Sequence, residues 1–181
     1  NGNRASALRE DKDQEDRVKV ESYPPEIPLE TVPEMKAPEV GEKVTEAIKS
    51  DKYDLIVVNF ANPDMIGHTG CMDAVKQAVR TCDSAVFKIY NALKEKKGVL
   101  LLTADHGNAE EMLEGGKNPD GTWREAGEKG VMIKTSHTLN PVNFSITDFS
   151  NNGKYHVVGG ARDLADADYE KKGVAGKVGI A

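Results

Sequence analysis

Residues 53–108 contain the pattern that most narrows the fold: two apolar runs separated by a polar loop and a long amphipathic stretch. The first run, Tyr53 to Phe60 (YDLIVVNF), is continuous and rich in β-branched residues, and it reads as a strand buried on both faces. A loop, Ala61 to Gly70 (ANPDMIGHTG), follows. From about Met72 to Lys96, the residues Val75, Val79, Cys82, Val86, Ile89 and Leu93 recur at three- and four-residue steps, the period of a helix. Gly98 is expected to end it. Val99 to Ala104 (VLLLTA) reads as a second buried strand, with Asp105 to Asn108 (DHGN) as the turn at its end. A strand, a crossover helix and a second strand predict a right-handed βαβ unit in a parallel sheet. The expected fold class is α/β, a mainly parallel sheet flanked by helices.

The flanks are less regular. Residues 1–38 contain five prolines (Pro24, Pro25, Pro28, Pro33 and Pro38) and many charges, which predicts an extended segment lying along the surface. Glu39 to Lys49 places Val40, Val44, Ala47 and Ile48 at helical spacing, with Pro38 near the start, and predicts a short amphipathic helix. Residues 115–134 are polar and glycine-rich, suited to a mobile excursion or a small hairpin. Pro141 to Thr147 is a third strand candidate. With 181 residues, the chain is long enough for one domain with a core. It opens on Asn1 rather than Met, so the natural chain is expected to begin well before it.

Charge and cysteine content bound the partners. Net charge is -6 and no Lys/Arg cluster forms a basic stripe, which argues against nucleic acid. No apolar run approaches the roughly 18 residues of a membrane span, and no signal peptide is evident. Cys71 and Cys82 form no C-x-x-C pair and read as two free thiols of a reducing, cytoplasmic protein. No coiled-coil seam demands an oligomer, so a monomer is expected. An acidic protein that handles anionic phosphates needs local positive charge, and bound metal supplies it.

Three of the four histidines, His68, His106 and His137, fall in loops at strand ends, accompanied by Asp64 and Asp105. Ligands of parallel α/β sheets bind at the carboxyl ends of strands, where such loops sit. Asp64 and His68 are four apart, so one helical turn puts both on the same side. Asp105 and His106 directly follow a strand, and His137 comes from a third loop. Imidazole with carboxylate suits Mn, Zn or Co and tolerates Mg less well, and the lack of thiolates argues against structural zinc. Five such ligands exceed one tetrahedral site and point to two ions, an arrangement that clamps a phosphoryl group during in-line displacement. Singly, each residue has a plainer role: Asp64 as a helix cap, Asp105 beside Gly107 as turn chemistry. Their joint placement is harder to dismiss. His156, in a polar segment without acidic neighbours, is left outside the site.

Three segments make the sequence recognisable: NPDMIGHTG (Asn62 to Gly70), TADHGNAEEM (Thr103 to Met112) and TSHTLNPV (Thr135 to Val142). They resemble, in order and spacing, the C-terminal signatures of cofactor-independent phosphoglycerate mutases, members of the alkaline phosphatase superfamily. The opening NGNR resembles the segment after the inserted domain of that family, and the excursion at 115–134 resembles the plant and trypanosomatid type. The resemblance implies an alkaline-phosphatase-like α/β fold, incomplete in this chain, with residues 1–181 as the C-terminal part of a metal-binding domain. It implies two divalent metal ions, manganese first among Mn, Mg, Co and Zn, and no 2,3-bisphosphoglycerate. Asp64, His68 and His137 match the positions that hold one ion, and Asp105 and His106 match two positions that hold the other.

In that family a serine from the extreme N-terminus takes the phosphate from one phosphoglycerate and returns it to the neighbouring oxygen. Nothing in this chain matches that motif, so the resemblance implies no catalytic nucleophile here. The fragment alone is expected to be inactive. Ser136 adjoins a ligand but lacks the helix-start setting of a nucleophile, and Gly173–Lys177 (GVAGK) lacks the spacing of a phosphate-cradling loop. The competing readings are a metal-dependent phosphatase, sulfatase or phosphopentomutase relative with the same ligands, and an inactive metal-binding fragment.

Overall fold

The computed structural model describes residues 15–115, 118–122, 130–134 and 136–150. After a 3-10 turn at Leu29–Thr31 come the helices α1 (Ala37–Lys49), α2 (Asn62–Gly67) and α3 (Met72–Lys96). The strands are β1 (Val99–Thr103), β2 (Leu113–Glu114), β3 (Met132–Ile133) and β4 (Phe144–Asp148). The opening NGNR, the tip of the 115–134 excursion, His156 and the glycine-rich stretch from Gly173 all lie outside the described residues.

Helix α1 opens with Pro38 in its first turn, where a missing N–H costs nothing. Glu39 and Lys49 sit at the ends the helix dipole favours. The bounds expected for α3 hold, but its buried stripe differs from the expected one. Ala74, Val75, Ala78, Ala85, Ile89 and Ala92 are buried, whereas Val79 is 46% exposed. Small alanines face inward because α1 and α2 both lie close along α3, and large side chains fit only where the neighbours diverge. The helix ends on Lys97 in the left-handed conformation (φ 54°), one residue before the expected Gly98, with the Gly98 N–H closing the last turn onto the Leu93 carbonyl at 2.8 Å.

Two apolar clusters anchor the fold. Ile48 of α1 and Ile89 and Ala92 of α3 pack with Val44, Ile56, Phe60, Leu93 and Leu100, joining the helical layer to β1. Ile66 of α2, which is fully buried, packs with Ala74, Val75, Ala78 and Met112, with Leu29, Met35 and Ala109 at the margin. The second cluster fixes α2 against α3. The Asn62 side-chain amide also donates to the carbonyls of Pro33 (3.0 Å) and Glu34 (2.8 Å), tying the leading segment to the start of α2.

The strand pairing corrects the expected parallel unit. β1 pairs with β4 in an antiparallel ladder from Val99↔Asp148 to Thr103↔Phe144, and β2 pairs with β3 in a short antiparallel stem at the base of the polar excursion. Residues 53–60 pair with no strand among the described residues. Only their inward side chains, Ile56 and Phe60, find a core, while Leu55 and Val57 are each 77% exposed. A doubly buried strand needs a partner along its edges and cover on both faces, and here the helices cover one face only. β1 is likewise half-covered rather than buried: Leu101 is 59% exposed. The third strand lies at 144–148 rather than 141–147.

Candidate metal centre

Helix α2 is six residues long, with Pro63 in its first turn and His68 as its C-cap. This helix sets Asp64 and His68 on one side, with the His68 Nε2 3.2 Å from the Asp64 Oδ1. The loop after β3 brings the His137 Nε2 to 3.1 Å from the same oxygen. One ligand atom from each of Asp64, His68 and His137 lies within 4.8 Å of the other two. The ring of His106, at the turn after β1, stacks on that of His137 at a centroid distance of 3.5 Å and 9° between planes. The Asp105 Oδ2 stands 3.7 Å from the His106 Nε2. All five residues singled out in the sequence therefore gather at one place. Three form a compact set, and the other two adjoin it through the His106–His137 stack. Ser136 is exposed beside them.

Polar residues that were not among the five candidates hold this arrangement. Asn108 is buried, and its side-chain amide donates to the Asp64 Oδ1 (3.1 Å) and lies 3.2 Å from the His68 Nε2. Gly67 makes room for it, since a Cβ there would fall 2.0 Å from the Asn108 Oδ1. Glu110 accepts the Asn108 backbone N–H at 2.8 Å, the Asn140 side-chain amide at 3.1 Å and the Thr138 hydroxyl. Burial pushes the Glu110 carboxyl up, but these hydrogen bonds together outweigh it and leave the group below the ordinary carboxylate value. The available signal was the company these residues keep: Asn108 and Glu110 follow the Asp105–His106 pair, and Thr138 follows His137.

The residues fit a divalent cation. Two imidazoles and a carboxylate converge without thiolates, a donor set suited to first-row metals. The His106 Nδ1 is buried and has no hydrogen-bond partner among the described residues. An unpaired buried polar atom costs about 1–3 kcal/mol, which a ligand at that nitrogen offsets.

Comparison with known proteins bears on what such a site serves. The Metalloenzyme superfamily matches residues 1–170. A 2,3-bisphosphoglycerate-independent phosphoglycerate mutase of Clostridium botulinum (strain Langeland) is 42% identical over 159 residues, 88% of this chain and 28% of the relative. The 2,3-bisphosphoglycerate-independent phosphoglycerate mutase 1 of Arabidopsis thaliana is 41% identical over 152 residues, 81% of this chain and 25% of the relative. A crystal structure of Leishmania mexicana phosphoglycerate mutase at low cobalt concentration aligns with a TM-score of 0.70 and 33% identity, over 82% of this chain and 26% of that one. The chain spans about a quarter of the length of these relatives. The resemblance read from the three motifs is borne out, and the fold is the alkaline-phosphatase-like α/β arrangement, of which this chain covers a part.

Proposed function

The chain belongs to the Metalloenzyme superfamily, and from that premise we propose that it is the metal-holding part of a two-metal phosphotransferase. The whole protein interconverts 3-phosphoglycerate and 2-phosphoglycerate, in the cytoplasm, as a step of glycolysis and gluconeogenesis. The observation that carries this reading is the convergence of Asp64, His68 and His137 within 4.8 Å, inside motifs resembling those of the mutase family. The identity to proteins bearing that name favours it over a general phosphatase or a phosphopentomutase.

In this reading Asp64, His68 and His137 hold one ion, and Asp105 and His106 contribute to a second. Manganese is the proposed metal, with cobalt, zinc or magnesium as substitutes. Bound ions neutralise the charge of the phosphoryl oxygens, which this chemistry needs more than acid or base. The chain's own task is to present the ligands already oriented. The α2 turn sets the Asp64–His68 spacing, and Asn108 aims the Asp64 carboxylate by donating to it. A carboxylate held by such a neighbour is partly oriented before a cation arrives. The nucleophilic serine of the phosphoserine intermediate lies outside these 181 residues.

The test is an assay of the full-length protein on 3-phosphoglycerate, without 2,3-bisphosphoglycerate, after chelation and again after Mn2+ is restored. Interconversion that returns with Mn2+ and is abolished by Asp64→Ala, His68→Ala or His137→Ala is expected. Hydrolysis of phosphate monoesters without isomerisation would refute the mutase reading, and an active His137→Ala variant would refute the ligand assignment.

A further inference from the structure

Glu110 belongs to none of the ligand sets above, yet it joins the two loops that bear His106 and His137. The Gly107 and Thr138 backbones form an isolated antiparallel bridge, with the Thr138 N–H donating to the Gly107 carbonyl at 2.8 Å. That bridge places each of the two histidines immediately before a bridging residue, and their rings stack across it. Between the ladder that ends at Thr103↔Phe144 and the stem that starts at Leu113↔Ile133, this bridge is the one β-pairing that joins the two loops among the described residues, so the stretch around it can still hinge. The Glu110 carboxylate closes the hinge from the side chains: one oxygen takes the Asn108 N–H of its own loop, and the other takes the Thr138 hydroxyl and the Asn140 amide of the opposite loop. The closure is tight around Gly107, where a Cβ would meet both the Glu110 Oε1 and the Thr138 Oγ1 at 2.2 Å. Thr138 is buried, so no water replaces its hydroxyl at little cost.

Resting on the metal-site reading, we propose that Glu110 is a positioning residue that locks the His106 loop to the His137 loop and so fixes the separation of the two groups of metal ligands. Removing the clamp leaves every ligand in place chemically but lets His137 drift from Asp64 and His68. Partners of this kind typically change metal affinity by about 10–100-fold.

The test uses the full 181-residue chain and Mn2+ alone, with free Mn2+ followed by electron paramagnetic resonance, and Co2+ as a second probe read by its visible absorption. Glu110→Gln keeps the shape but replaces one carboxylate oxygen with an amide N–H, so it can no longer accept from both loops at once. Thr138→Val keeps the shape and loses the hydroxyl, whereas Thr138→Ser keeps the hydroxyl. The expected result is Mn2+ binding weakened about tenfold or more in Glu110→Gln and Thr138→Val, with an altered Co2+ spectrum. The double variant should be no worse than either single one, and Thr138→Ser should restore both readouts. Circular dichroism identical to wild type separates this from unfolding, and if Glu110→Gln fails to fold, the Thr138 pair decides. Unchanged affinity and spectrum in Thr138→Val, with a wild type that binds Mn2+, would overturn the clamp while sparing the metal site. A folded wild type that binds neither ion would overturn the metal reading and the clamp with it.

Discussion

Replacing Gly67 with alanine sets two effects of opposite sign against each other. Gly67 ends the α2 turn in a helical conformation, so alanine should on propensity alone stabilise by up to about 1 kcal/mol. The new Cβ, however, would lie 2.0 Å from the Asn108 Oδ1, about 1 Å inside the closest approach such atoms tolerate. Asn108 is 6% exposed and has little room to swing away. Moving it breaks the amide's hydrogen bond to the Asp64 carboxylate (3.1 Å), and a hydrogen bond to a charged group is worth about 1.5–3 kcal/mol. The loss outweighs the gain, so Gly67→Ala should destabilise by about 1–2 kcal/mol. Urea denaturation in EDTA measures this, and Mn2+ affinity should fall in parallel. The next nearest atoms after the Asn108 amide group are at 3.6 Å, an ordinary contact, so in an Asn108→Ala background Gly67→Ala should be neutral or stabilising. The coupling between the two positions should be about 1–3 kcal/mol. A Gly67→Ala variant equally destabilised in both backgrounds, or stabilised in the wild type, would refute the steric argument.

Three further outcomes are expected. Titration of the folded chain with Mn2+ should show one tighter event, lost in Asp64→Ala and His137→Ala, and a weaker one lost in His106→Ala; a tight ion indifferent to His137→Ala would show that the ligands are wrongly paired. Burial pushes the Cys82 thiol up to about 11, so at pH 8 only about one molecule in a thousand carries the reactive thiolate. An alkylating reagent followed by mass spectrometry should therefore label exposed Cys71 well before Cys82, and equal rates would contradict the packing of α3. Because the folded Glu110 carboxyl lies below its ordinary value, its stabilisation is present above the ordinary carboxylate range and is lost as pH falls through the depressed folded value. The stability gap between wild type and Glu110→Gln, measured by denaturant in EDTA, should thus be open at pH 7 and close towards pH 3; a gap independent of pH would show that the charge is not what the donors recognise.

What the sequence made legible was local. The apolar period of α3, sustained over 25 residues, was long enough to fix both its ends, and the four-residue spacing of Asp64 and His68 implied the turn that joins them. The inward face of α3 was misread because large apolar residues were weighted over alanines, although alanine is what a close helix contact selects. Strand pairing is a long-range property: nothing within Tyr53–Phe60 or Val99–Thr103 states that β1 will take Phe144–Asp148 as its antiparallel partner. At the site, titratable residues announced themselves by type. Asn108, Thr138 and Glu110 matter through whom they touch, and those contacts span 28 to 44 positions of sequence.

The bare apolar side of residues 53–60 governs how solutions of this chain behave. Leu55 and Val57 stand open on a segment that joins no ladder among the described residues, and Leu101 and Phe144 expose more oily surface on β1 and β4. Such an edge templates addition of another strand, and molecules that meet there stick. Net charge of -6 keeps them apart at low ionic strength, a repulsion that about 0.15 M salt already screens beyond roughly 8 Å. Turbidity should accordingly climb with both concentration and salt, and a lysine at position 57 should keep the solution clear.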